Sequence, residues 1–165
     1  MLKIQGMILF FGCWIVSLGA EPYCAFCDPK ILEKQTFYEG EFVLALCTHR
    51  PVLPGHVLII PKRHVERFEM LSDEEMVEMG HVIKKINGVV SQEFKTISYL
   101  LLQKNGKEVG QTVPHVHFHY IPRKEGENSG VALMAKMLLN NLKSPISLQE
   151  MELTTERMRE IVMSE

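Results

Sequence analysis

Residues 110–123 read Gly110-Gln111-Thr112-Val113-Pro114-His115-Val116-His117-Phe118-His119-Tyr120-Ile121-Pro122-Arg123 and place histidine at every second position from 115 to 119. Side chains alternate between faces along a β-strand, so one face carries His115, His117 and His119 and the other Val116, Phe118 and Tyr120. Three of the chain's seven histidines stand within five residues. Each imidazole brings a donor and an acceptor that burial would leave to be satisfied, so this face points to chemistry. The pattern predicts a strand that begins after Pro114 and ends before Pro122. Upstream, Gly106 and Gly110 flank a loop whose backbone is free to approach an anion closely.

Working outward, T-F-Y-E-G-E-F-V-L-A-L-C between Lys34 and Thr48 reads as a hairpin joined at Gly40. Phe42, Leu44 and Leu46 fall on one face of its second strand and Val43, Ala45 and Cys47 on the other, as an inner strand requires. His49 to Gly55, with Pro51 and Pro54, is a turn, and His56 to Ile60 is the next strand. A short helix is expected over His64 to Leu71. Ser72 with Glu75 three residues on forms a capping box, and Met76, Met79, Ile83, Ile86, Val90 and Phe94 follow at helical spacing, so an amphipathic helix spans Asp73 to about Phe94. Ile97 to Gln103 is a fourth strand before the histidine strand. Val131 to Leu142 and Leu148 to Val162 read as helices. The expected fold is α+β: a mostly antiparallel five-stranded sheet with a long helix across one face, followed by C-terminal helices.

With 165 residues, 46% hydrophobic and 23% charged, the chain suits a single globular domain. A net charge of -2 gives no support to non-specific or duplex nucleic-acid binding. Lys104, Lys107, Arg123 and Lys124 lie near the histidine strand and leave room for a local anion site. Met7 to Ala20 is a 14-residue run without charge behind Lys3, shorter than the ~20 residues of a spanning helix. Residues 1–20 therefore read as a segment separate from the fold, either a signal or anchor or an extension. The expectation is a cytoplasmic protein, with export or membrane anchoring through residues 1–20 as the alternative. Cys24 and Cys27 form a C-x-x-C, which is either a redox pair or half of a metal site.

The H-x-H-x-H array, set between Gly-Gln-Thr-Val and Ile-Pro-Arg, and the upstream Pro54-Gly55-His56-Val57-Leu58-Ile59-Ile60-Pro61-Lys62-Arg63-His64 together resemble the histidine triad family of nucleotide hydrolases and transferases. The resemblance covers about residues 22–124, leaving 125–165 as a C-terminal helical extension. It implies a homodimer that attacks the α-phosphorus of a nucleotide. His117 matches the nucleophile, His119 a histidine on the phosphate, and His56 a second supporting histidine. Gln111 and Thr112 match loop residues that meet the phosphate and leaving group. Where many members have an amide two positions before the loop glycine, this chain has Lys104 between Gln103 and Asn105, so Asn105 is expected to contact substrate; the usual ribose contact falls on Thr48 or His49. The surroundings of the two motifs resemble the fragile histidine triad branch, which cleaves dinucleoside polyphosphates. The cysteine pair resembles bacterial and phosphoramidate-hydrolysing members. Zinc-bearing members imply a Cys2His2 set of Cys24, Cys27, His64 and His115. The expected activity is cleavage of a dinucleoside polyphosphate or nucleoside phosphoramidate through a nucleotidyl-histidine. A purine nucleotide-binding module that works through a protein partner is the competing reading.

Overall fold

Valine, leucine and isoleucine runs with no polar face belong inside a sheet, and two such runs form its centre. Val43–Cys47 (β2) and Val57–Pro61 (β3) are buried along their whole lengths. The computed structural model describes residues 23–124, 126 and 130–164. Thr36–Glu39 (β1) pairs with β2, and Ser98–Gln103 (β4) and Phe118–Arg123 (β5) complete one five-stranded sheet in the order β1-β2-β3-β5-β4. Every pairing is antiparallel. The expected α+β architecture is present. The apolar run in residues 1–20 lies outside the described residues, among which no helix is long and apolar enough to cross a membrane.

The two sheet faces have different tasks. Val43, Ala45, Cys47, Val57 and Ile59 face a core shared with Met79, Val82, Ile86, Val89 and Val90 of helix α2 (Asp73–Phe94). Short helix α1 (Pro29–Gln35) and helix α3 (Gly130–Leu139) flank the sheet region in sequence, and helix α4 (Leu148–Met163) adds Met151, Met158 and Ile161 to the same core. Arg159 of α4 donates to the carbonyls of Glu33 and Thr36, tying the C-terminal segment to the start of the sheet. Truncating a residue such as Ile86 to alanine in this core costs about 2–5 kcal/mol. On the opposite face Leu44, Leu46, Leu58 and Ile60 pack with Cys24 and Phe26. His119 shares this second face, opposite Leu58.

Helix α2 begins with the capping box read from Ser72 and Glu75. Glu75 is buried and also takes Arg63 at 3.0 and 2.7 Å, which anchors the segment leading to His64. The helix expected over His64 to Leu71 is only a 3-10 turn at Phe68–Met70. Its backbone is committed elsewhere. The Val65 carbonyl accepts from Val116, and the Phe68 N–H donates to Asn105 Oδ1. The histidine strand also starts later than expected, at Phe118, because the β3–β5 ladder stops at Ile59↔Phe118 and the carbonyl of Pro61 is taken by the His115 ring. At its other end β5 runs through Pro122. The β3 pairing has ended at Val57↔Tyr120, so no strand flanks that side of Pro122 and a missing N–H costs no ladder bond there.

Candidate active site

Two histidines at the reacting face receive their tautomers from the backbone. Val52, in the turn before β3, donates its N–H to His56 Nδ1 at 3.1 Å. That nitrogen is therefore the unprotonated one, and His56 Nε2–H donates to His119 Nδ1 across 2.9 Å. A neutral His119 then carries its own proton on Nε2, as a donor. His117 is set the other way. Its Nδ1–H donates to the His115 carbonyl at 2.7 Å, leaving the Nε2 lone pair free. The two rings lie 5.0 Å apart. One offers an electron pair beside the other's N–H, the combination that nucleophilic attack on a phosphorus with an adjacent oxyanion demands.

Burial keeps these rings neutral. It lowers the pKa of His117, helped by the Lys104 charge, and with neighbouring histidines it lowers His56 to about 3 and His119 to about 2. The unfolded chain therefore binds protons below pH 6.5 that the folded chain refuses at His56 and His119. Unfolding free energy is expected to be steady above that point and to fall as pH drops from about 6.5 towards 4, by about 1.4 kcal/mol per pH unit for each histidine. Urea titrations across this range should show the slope, and His56→Gln should flatten it. A stability that is level down to about pH 5 would contradict the neutral pair.

His115, fully buried, faces a second cluster. Its Nε2–H donates to the Pro61 carbonyl at 2.9 Å, so Nδ1 presents a lone pair 3.5 Å from Cys24 Sγ and 3.6 Å from Cys27 Sγ. His64 Nδ1 lies 3.3 Å from Cys27 Sγ, and the four ligand atoms all fall within 4.8 Å of one another. Zinc with sulfur at about 2.3 Å and nitrogen at about 2.0–2.1 Å sets tetrahedral sulfur–nitrogen edges at about 3.5 Å, so the donor set fits that ion. The carbonyl on His115 and the Glu66 carboxylate 3.8 Å from His64 Nε2 are the outer partners such ligands use.

The other expected contacts are placed less simply. Gln111 is buried, with Oε1 accepting from the Gly106 N–H at 2.6 Å and Nε2 donating to the Glu66 carbonyl at 2.9 Å. It braces the loop, which turns through Gly106 at φ 121° and Gly110 at φ 83°, angles that side chains rarely adopt. Both ends of the Asn105 amide are held, by the Phe68 N–H and the Glu69 carboxylate, which fastens the loop to the Phe68–Met70 turn. Thr48 is buried, accepts from the Arg50 N–H, and lines a cavity of about 300 Å³ with Val52, Phe94 and Met158. Thr112 is exposed on the loop and lines a cleft of about 210 Å³ with Arg67 and Gln111. Sequence reasoning missed Phe26, whose ring meets both His115 and His117 at 5.8 and 5.2 Å, and Val52, which acts through its backbone. Phe26 lies between the two cysteines of the C-x-x-C, and that position was its signal.

Comparisons with known proteins identify the family. The HIT domain family model matches residues 30–126. A bis(5'-adenosyl)-triphosphatase of Dictyostelium discoideum is 35% identical over 155 residues, covering 91% of this chain and 90% of that protein. A bis(5'-nucleosyl)-tetraphosphatase [asymmetrical] of Schizosaccharomyces pombe is 36% identical over 107 residues, covering 65% of this chain and 59% of its own length. The solved structure of a hypothetical histidine triad nucleotide-binding protein from Sulfolobus tokodaii superposes with a TM-score of 0.67 at 27% identity, covering 86% of this chain and 93% of that one. With the family model spanning more than half its length and both histidine motifs assembled on one sheet face, the chain belongs to the HIT domain family and is one of its enzymes.

Proposed function

We propose that this enzyme hydrolyses dinucleoside polyphosphates at the α-phosphorus through a nucleotide held covalently on His117. The observation that carries the reading is the His117 Nδ1–H bond to the His115 carbonyl, which frees Nε2 for attack in a buried, neutral ring. The Nε2–P bond forms as the P–O bond to the bridging oxygen breaks, and that oxygen departs with the electron pair on a nucleoside di- or triphosphate. His119 Nε2–H donates to a non-bridging oxygen as charge grows there, with His56 holding that ring in its donor form. Thr112 and the backbone of the glycine loop supply further donors. Water then attacks phosphorus, the P–N bond breaks, and the mononucleotide leaves with His117 restored. The names of the Dictyostelium and Schizosaccharomyces relatives support this substrate class over a phosphoramidate.

Zinc on Cys24, Cys27, His64 and His115 belongs to the same reading and would be structural, clamping the Cys24–Cys27 turn and Phe26 against the reacting rings. A homodimer belongs to it as well. Strand β4 is a sheet edge, and Tyr99 and Leu101 on it and Ile97 just before it are exposed, a surface that a second copy would cover.

The test is a panel of diadenosine triphosphate, diadenosine tetraphosphate and adenosine 5'-phosphoramidate in ¹⁸O-water, with products identified by mass. Polyphosphates are expected to yield a mononucleotide carrying the label and an unlabelled nucleoside di- or triphosphate. Tight nucleotide binding without products, or label in the larger fragment, would replace this mechanism with a binding role or attack at another phosphorus.

A further inference from the structure

Where β4 ends, a lysine stands opposite the nucleophile. The β4–β5 register pairs Leu102 with His119 and Gln103 with Phe118, so one residue further Lys104 comes level with His117. Alternation puts Lys104 on the face that carries His117 and His119, while Gln103 shares the face of Phe118. The side chain then leans over the glycine loop, its Nζ 3.6 Å from where a Cβ on Gly110 would lie. It is half-buried, and among the described residues none of the ion pairs includes it. Its charge reaches both catalytic imidazoles. A cation with no carboxylate of its own, held beside a nucleophile and a phosphate-binding loop, is suited to an anion.

We propose that Lys104 is a specificity-determining residue that favours substrates whose leaving group departs as a polyanion. The inference rests on the reading that nucleotidyl transfer to His117 is the first step. When the bridging P–O bond breaks, the electron pair moves onto an oxygen of a nucleoside di- or triphosphate, and the Lys104 ammonium neutralises that charge while keeping its own proton. When a phosphoramidate reacts, the P–N bond breaks instead and the departing amine must gain a proton. Neutralising negative charge, with Lys104 keeping its proton, does nothing for a leaving group that departs as a neutral amine. Lysine is a point charge on a flexible four-carbon stem, so it can follow polyphosphates of different lengths where the fixed geometry of an amide would not. In the second step the leaving group has gone, so the discrimination belongs to formation of the adduct.

The experiment compares kcat/KM for diadenosine triphosphate and adenosine 5'-phosphoramidate in the wild-type enzyme, Lys104→Gln and Lys104→Arg, at low and high potassium chloride. In Lys104→Gln the polyphosphate-to-phosphoramidate ratio is expected to fall roughly 10- to 100-fold, the range for losing a charged hydrogen-bond donor. The ratio should also lose much of its salt dependence, and Lys104→Arg should restore most of both. A thermal melt confirms that each variant is folded. If the ratio in folded Lys104→Gln stays within about 2-fold of wild type, or both substrates fall together, Lys104 does not discriminate leaving groups. If wild-type enzyme hydrolyses neither substrate, the underlying reading fails and takes this one with it.

Discussion

His117→Ala is expected to lower turnover of diadenosine triphosphate by about 10⁴-fold or more, while nucleotide affinity changes only a few-fold. The size of the effect follows from the role. Removing an oxyanion donor leaves the route open at a cost of about 10²–10³-fold, which is the loss expected for His119→Ala. Removing the nucleophile closes the route, because the other buried lone pair that a backbone acceptor releases on this face, His115 Nδ1, is turned towards Cys24 and Cys27. His56→Ala should fall between wild type and His119→Ala, since it leaves the His119 ring present but without the partner that sets its donor nitrogen. Rapid quenching with a labelled dinucleotide and peptide mapping would locate the adduct. Label on His115 or His119, or near wild-type turnover by His117→Ala, would refute the assignment.

Replacing Cys24 and Cys27 together by serine should release about one zinc per chain, the stoichiometry of a four-ligand structural site. Structural zinc supplies about 10–16 kcal/mol in domains that have little else to hold them. Here a separate core on the other sheet face carries part of the stability. A loss of about 4 kcal/mol would lower the melting temperature by roughly 8–16 °C in a chain of this size. Inductively coupled plasma analysis of untagged wild-type and variant protein, paired with calorimetry, checks both halves. Wild-type protein purified without a chelator and free of zinc, or a variant that keeps its zinc, would remove the metal from the account.

How far the sequence could be read depended on whether a residue's task lies in its own side chain and period. Helix α2 spans Asp73–Phe94 as its capping box and apolar spacing required, and β2 is buried on both faces as its two-sided apolarity required. The Cys24, Cys27, His64 and His115 cluster assembled from segments far apart because the motif that carries each is itself local. What could not be read came from long-range partners. The stretch from His64 to Leu71 has no helix breaker within it, yet Val116 and Asn105 claim its backbone. Alternation put His115 and His117 in the ladder, but the Pro61 carbonyl that would extend that ladder is occupied by a ring. Gln111 and Asn105 also brace loops through hydrogen bonds to Gly106 and Glu69, partners that only the fold reveals.

The Val52 N–H that sets the His56 and His119 tautomers has a consequence for mutational mapping of this enzyme. In Arg50-Pro51-Val52-Leu53-Pro54-Gly55, proline at 51 and 54 leaves only Val52 and Leu53 between them with an amide proton to give. An alanine scan preserves that proton at every position it visits, so what it reports in this turn is lost packing at Val52 and strain at Gly55, not the hydrogen bond. A survey of side-chain variation would likewise see at position 52 the demand for a buried apolar residue and the exclusion of an imino acid, and not the hydrogen bond. The orientation of two histidines is thus entrusted to an atom that almost every substitution retains.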